Sequence, residues 1–116
     1  MKPKEVLLKW IEYFNNYDIE GISDLYSEDA VNHQIPKDIV IGKPAIKNMF
    51  ESEFATADMV CIPENIFEDG QWAILEWIDP KGLRGCGFFK ILNDKIIFQR
   101  GYWDKLSFME LQNKSK

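Results

Sequence analysis

Few of the residues that build metal or redox sites are present in this chain. It contains one histidine, His33, and two cysteines, Cys61 and Cys86, which lie far apart and form no Cys-x-x-Cys pair. Two cysteines are too few for a zinc site, so we expect no metal and no cofactor. A disulfide and a pair of free thiols both stay open, and two buried thiols in a reducing compartment are the simpler interpretation.

Long apolar runs and an excess of positive charge are also missing. No stretch approaches the roughly 18 apolar residues of a membrane-spanning helix, and the N-terminal MKPKEVLLKW carries charges every few residues, unlike a signal peptide. The formal net charge is −5, whereas phosphate binding needs a basic surface. We therefore expect a cytoplasmic protein that binds neither nucleic acid nor membrane.

Apolar and aromatic side chains are abundant. Hydrophobic residues make up 46% of the 116 residues and aromatic residues 14%. Because chains divide into separate cores only beyond about 250 residues, we predict a single domain over residues 1–116. The aromatic residues exceed what a minimal core needs, so some of them are expected to line a cavity.

The first half of the chain has helical periodicity. Apolar residues recur every three to four positions over residues 4–17. Asp18 can cap a short second helix, and Gly42-Lys43-Pro44 opens a third. The apolar face of the second helix is predicted to comprise Ile19, Ile22, Leu25 and Tyr26.

The second half alternates with a period of two, which is typical of strands. Asp69-Gly70 is a hairpin sequence, because Gly accepts the positive φ of a tight turn. Four strands joined by short turns predict an antiparallel meander with the helices gathered on one face. Strands are predicted over residues 30–35, 59–67, 72–79, 84–92 and 95–104, with a brief extended piece at 39–42. The fold class is therefore α+β, and a bent sheet closed by helices encloses an interior.

Three segments carry a family resemblance: LYSEDAVNHQIP, GKPAIKNMFE and GFFKILNDKIIFQRGYWDKLSF. Together they resemble the SnoaL-like branch of the nuclear transport factor 2-like superfamily over residues 7–108. The resemblance implies a cystatin-like cone, in which three N-terminal helices pack on a strongly curved antiparallel sheet. It also implies a homodimer, for which the apolar outer sheet face is the simplest interface.

The superfamily includes ketosteroid isomerases, whose reacting groups are not matched here. The isomerase tyrosine that donates a hydrogen bond to the substrate oxyanion corresponds to Trp10. Its general-base aspartate corresponds to Gln34, which cannot take a proton, and its second oxyanion donor falls near Cys86. The resemblance therefore does not predict steroid isomerisation by that mechanism.

Limonene epoxide hydrolases are matched more closely, but again incompletely. Their motif of acid, arginine, apolar residue and acid appears as Glu76-Trp77-Ile78-Asp79, so one aspartate is kept at Asp79 and the arginine is replaced. The second aspartate corresponds to Gly101, and Gln34 matches the amide that positions water. A single acid leaves no general acid and base pair.

The acid–base candidates are His33 and Asp79. Polyketide cyclases of the SnoaL type use such a group around an enolate, and histidine exchanges protons near neutral pH. We predict His33 as general base and Asp79 as its orienting or proton-donating partner. The alternatives are an exposed or hydrogen-bonded strand-end histidine and a turn aspartate that caps backbone N–H groups. Strand alternation puts His33 and Gln34 on opposite faces. Gln34 is slightly favoured in the interior, because the resemblance matches it to the base or water-positioning amide of the relatives.

Two functional interpretations stay open. The first is a protein that binds a small apolar molecule, with lyase, isomerase or hydrolase activity undecided. The second is a non-catalytic dimerisation or scaffold domain whose own side chains fill the cone; a cavity of several hundred Å³ would argue against it. The predicted ligand contacts of the first are Trp10, Phe14, Tyr26, Gln34, Phe50, Trp77, Gln99 and Trp103.

Overall fold

A computed structural model describes residues 1–114 as four helices and one six-stranded sheet; residues 115 and 116 of the predicted domain lie outside this range. The helices are α1 (Pro3–Asn15), α2 (Ile19–Asp24), α3 (Lys43–Thr56) and α4 (Lys105–Lys114). The strands are β1 (Tyr26–Gln34), β2 (Val40–Ile41), β3 (Ile62–Asp69), β4 (Trp72–Ile78), β5 (Arg84–Leu92) and β6 (Lys95–Trp103). The α+β class and the predicted meander of β3 to β6 are confirmed.

The sheet is mixed, with the strand order β2-β1-β6-β5-β4-β3. Strands β3 to β6 pair antiparallel, but β1 runs parallel to β6. The expectation of a wholly antiparallel sheet is therefore wrong at this one pairing. The chain leaves β1 through β2 and α3 and passes through the whole meander, so β6 returns beside β1 in the same direction.

Tyr26 lies in β1 and not on the second helix as predicted. The helix α2 ends at Asp24, and the N–H of Ile96 donates to the carbonyl of Leu25 at 2.7 Å. Tyr26 itself pairs with Ile96, and the register shifts between Tyr26 and Val31. Pairing with β6 thus overrides the local helical pattern, which is common for short elements.

The start of β3 is also later than predicted. The side chain of Asn15 donates to the carbonyl of Cys61 at 2.8 Å and accepts from its N–H at 2.7 Å. The backbone of Cys61 is therefore bound to the end of α1, and pairing with β4 begins only at Ile62.

A fourth helix, α4, was not predicted. Asp104 precedes it and accepts hydrogen bonds from the N–H of Ser107 at 2.9 Å and from its hydroxyl at 2.6 Å. This is the arrangement of a helix N-cap. The helix places Phe108 against Trp103, with ring centroids 5.3 Å apart, so α4 covers one end of the sheet.

Alternation along the strands separates a concave face from an outer face. In β4, Ala73 and Leu75 are buried against the helices, whereas Glu76 is exposed on the other side. Gly85 of β5 allows the ring of Trp77 to lie directly against the strand, because a Cβ there would be 2.4 Å from Trp77 Cζ2. The concave face and the helices α1 and α3 enclose the interior of the cone.

Candidate functional site

The interior of the cone holds a cavity of about 110 Å³. It is smaller than the several hundred Å³ of usual ligand sites, and it is comparable with the roughly 150 Å³ cavity that accommodates benzene in another protein. The cone is thus neither wide open nor completely filled. Seven of the eight predicted ligand contacts line the cavity: Trp10, Phe14, Gln34, Phe50, Trp77, Gln99 and Trp103.

Tyr26 is the predicted contact that does not line the cavity. Its side chain is 1% exposed and lies behind the wall, where its hydroxyl donates to Oε1 of Gln99. Trp10 Nε1 donates to the same hydroxyl at 3.0 Å. Burial raises the pKa of Tyr26, so the phenol stays neutral and acts as a link between Trp10 and Gln99.

His33 lies on the outer face of the sheet and is not among the residues that line the cavity. It pairs in register with Arg100 of β6, and its Nδ1 accepts from Arg100 Nε at 3.4 Å. The next residue, Gln34, lines the cavity. The alternation of β1 therefore puts the amide inside and the imidazole outside.

Asp79 lines the cavity at the end of β4, and its carboxylate organises the turn to β5. Asp79 Oδ1 accepts from the N–H of Lys81 at 2.9 Å and from that of Leu83 at 3.0 Å. The structure does not bring Asp79 and His33 together, because β1 and β4 are separated by two strands and the two side chains lie on opposite faces.

A chain of hydrogen bonds connects three amide side chains along the cavity floor. Trp103 Nε1 donates to Gln34 Oε1 at 2.9 Å, and Gln34 Nε2 donates to Asn32 Oδ1 at 2.8 Å. Asn32 Nδ2 then donates to Gln99 Oε1 at 3.2 Å. We call the six hydrogen-bonded side chains the amide network: Trp10, Tyr26, Asn32, Gln34, Gln99 and Trp103. All six of its side chains are uncharged.

The sheet register brings the amide network together. Asn32 and Gln34 lie two residues apart on one face of β1, and they pair with Gln99 and Gly101 of β6. A Cβ on Gly101 would overlap the amide of Gln34, so this glycine makes room for the side chain opposite it. Position 101, where the hydrolases have an aspartate, here accommodates a neighbouring glutamine.

Glu53 is a cavity residue that the sequence analysis missed. It lies on α3, its side chain is 18% exposed, and Lys37 Nζ is 3.2 Å from its carboxylate. Burial raises the pKa of Glu53, although the charge of Lys37 acts in the opposite direction. Its position three residues after Phe50 and four after Met49 places it on the apolar face of α3 and would have revealed it.

The two cysteines lie on opposite sides of the sheet and are unpaired. Cys61 lines the cavity, and burial raises the pKa of its thiol to about 12. Since the thiolate is the reactive form, Cys61 is not an activated nucleophile near neutral pH. Among residues 1–114, no three His, Cys, Asp or Glu side chains are grouped to hold a metal ion, and none of the four described helices is suited to crossing a membrane.

Comparison with known proteins identifies the fold. A family model described as a SnoaL-like domain matches residues 7–99. A hypothetical protein with a ketosteroid isomerase-like fold from Catenulispora acidiphila, in complex with trimethylamine, superimposes with a TM-score of 0.85 at 11% identity, covering 97% of this chain and 95% of the other. TerC co-crystallised with polyporic acid superimposes with a TM-score of 0.83 at 18% identity, covering 96% of this chain and 98% of the other.

A third similar structure is an epoxide hydrolase of M. tuberculosis related to the limonene enzymes, with a TM-score of 0.79 at 14% identity, covering 95% of this chain and 88% of that one. No curated protein matches the sequence. At these identities the structural similarities establish the fold alone.

Replacing Glu53 with Gln should change how the stability of the protein depends on pH. Because the pKa of Glu53 is raised in the folded state, folding retains a proton that the unfolded chain releases. The wild-type protein therefore loses stability as the pH rises from the ordinary carboxyl range through the raised value. Gln has no such proton, so the free energy of unfolding of Glu53→Gln should rise relative to wild type over this interval, as measured by urea unfolding.

Glu51→Gln, on an exposed position of the same helix, is the matched control and should show a difference from wild type that does not rise with pH. A Glu53→Gln difference that is constant or falls with rising pH would contradict the account of this carboxyl.

Proposed function

The chain belongs to the SnoaL-like domain family, and from this premise we propose that it is a small-molecule-binding protein whose ligand occupies the cavity of the cone. The observation that carries the proposal is the lining of that cavity, in which aromatic rings surround a few amide groups. Ligand sites are typically apolar pockets with a small number of placed polar groups. The cavity volume of about 110 Å³ fits one ring of a ligand.

Two structures of the same fold support this proposal. One protein was crystallised with polyporic acid, and another forms a complex with trimethylamine. Each statement concerns that protein alone, but together they support small organic molecules as the class of ligand for this fold. The alternative of a scaffold domain with a filled cone predicts that no such molecule binds.

Acid–base chemistry at the same site is a second proposal, which Glu53 favours. Its carboxyl lines the cavity and has a raised pKa, and a general acid or base works best when its pKa lies near the operating pH. A lyase, isomerase or hydrolase reaction would use such a group. The catalytic roles of His33 and Asp79 stay predictions, and Asp79 is the one of the two that lines the cavity.

Filling the cavity should abolish ligand binding. Met49 lines the cavity from α3, and a Trp in its place would occupy the free volume. For a monocyclic aromatic probe such as acetophenone, we expect the affinity of Met49→Trp to fall at least about tenfold, measured by isothermal titration calorimetry. Loss of about 1.4 kcal/mol of binding free energy corresponds to this factor.

Met109→Trp is the matched control, because Met109 is 51% exposed on α4 and the substitution is the same. It should bind the probe as wild type does. Equal binding by wild type and Met49→Trp would contradict the assignment of the cavity.

We also propose that the chain forms a homodimer through its outer sheet face. This face carries half-buried Trp72, Ile74, Phe88 and Phe98, and Tyr102 is 42% exposed. Apolar side chains grouped on a sheet face, here with Arg100 among them, favour a protein partner. A two-fold pairing of the face with itself is the simplest way to cover it.

A charge in the centre of this face should separate the dimer. Phe88→Glu is expected to sediment as a monomer at concentrations at which wild type sediments as a dimer, because dimerisation would bury the carboxylate. Leu106→Glu, at a 64% exposed position on α4, is the control and should stay dimeric. A wild-type protein that sediments as a monomer would rule out the interface.

A further inference from the structure

One end of the amide network fixes the orientation of its amides. An indole N–H only donates hydrogen bonds, so Trp103 requires the oxygen of Gln34 to face it. The nitrogen of Gln34 must then face the oxygen of Asn32. The nitrogen of Asn32 is consequently turned toward Gln99 and donates to Oε1 of that residue.

The other end is compatible with the same orientation. The indole of Trp10 donates to the hydroxyl oxygen of Tyr26, and the hydroxyl hydrogen is directed to Gln99 Oε1. Both ends of the network therefore arrive at Gln99 as donors. Two donors occupy the carbonyl oxygen of Gln99, and reversing its amide would place its N–H groups against the N–H of Asn32.

The amide nitrogen of Gln99 is left for the cavity. Within residues 1–114 this nitrogen has no hydrogen-bond partner. By contrast, each side-chain nitrogen or oxygen atom that is completely buried in the non-exposed residues among these does have a partner. The nitrogen must therefore keep accessible surface, and Gln99 is only 5% exposed and lines the cavity. An unpaired donor in an apolar cavity is unfavourable until an acceptor meets it.

We propose that the cavity selects an uncharged aromatic or conjugated carbonyl compound, whose oxygen accepts a hydrogen bond from Nε2 of Gln99. This inference rests on the proposed binding function and specifies the chemical class of its ligand. The network supplies a donor at this point, so it discriminates against ligands that present only N–H groups there, since donor would face donor.

The shape and the charge of the cavity lining narrow the class of ligand further. The rings of Trp10 and Phe14 stack 5.0 Å apart, and Phe89 meets Trp10 edge-on at 5.1 Å, so flat faces and edges surround the space. Asp79 and Glu53 line the same cavity and disfavour an anion. Lys37 is the cation at the rim, and it is paired with Glu53.

The test compares two probes of nearly the same shape, acetophenone and α-methylstyrene, which differ by C=O against C=CH₂. Wild-type protein should bind the ketone about three- to tenfold more tightly, as expected for one hydrogen bond between neutral groups. Gln99→Met removes the donor at similar volume and should make the two affinities equal. Gln71→Met, at an exposed turn position, should leave the preference unchanged.

A spectroscopic readout covers the case in which Gln99→Met fails to fold, because that substitution also removes the acceptor of Tyr26 and Asn32. The carbonyl stretch of acetophenone bound to wild type should lie at lower frequency than in an alkane solvent. An unshifted carbonyl stretching frequency would overturn the proposed hydrogen bond, independently of whether Gln99→Met folds.

The possible outcomes separate this inference from the function on which it rests. If neither probe binds, the proposed ligand cavity fails and this inference with it. If both probes bind equally to wild type, the cavity binds ligands, but the proposed hydrogen bond from Gln99 Nε2 to the ligand is wrong. A preference for the ketone that persists in Gln99→Met would also overturn the role of Gln99.

Discussion

The site depends on the hydrogen bond between Asn32 on β1 and Gln99 on β6. It joins the two halves of the amide network, and it exists because β1 runs parallel to β6 with these residues opposite each other. Every buried amide and hydroxyl in the network needs a partner, since unpaired polar groups in a low-dielectric interior are costly. The parallel pairing therefore determines both the closure of the cone and the polar floor of the cavity.

The distribution of charge follows from this neutral floor. The six network side chains carry no charge, whereas the acidic and basic side chains that line the cavity are the paired Lys37 and Glu53, and Asp79 in the turn that it organises. A neutral network requires no buried counter-ion, and in this one the amide nitrogen of Gln99 is left for a ligand. Glu53 is the charged group that burial affects most clearly, because burial raises its pKa although Lys37 acts in the opposite direction.

Period-two alternation grouped the strand residues that share a face. Together with the match to the limonene epoxide hydrolases, which indicated the inward face, it placed Trp77, Gln99 and Trp103 on the concave face, and the structure has them there. The family match also favoured Gln34 over His33 for the interior. These predictions succeed because the side-chain period of a strand is a local property.

Other features could not be predicted from the sequence, because they depend on contacts between residues far apart in the chain. The parallel pairing of β1 joins segments far apart in the chain, and Asn32 gained its role only from that register. Tyr26 continued a helical pattern locally, yet pairing with Ile96 made it a strand residue. Asp104 and Ser107, by contrast, formed a local cap that could have identified α4.

The most direct test of the amide network is hydrogen exchange of the tryptophan indole N–H groups, followed by NMR. In wild type, the indoles of Trp10 and Trp103 should exchange much more slowly than that of Trp72, whose ring lies on the outer face. Asn32→Ala should accelerate exchange at both Trp10 and Trp103, because it separates the two halves of the network. Exchange that is equally fast at all of these indoles in wild type, or that stays unchanged at both network ends in Asn32→Ala, would contradict the account.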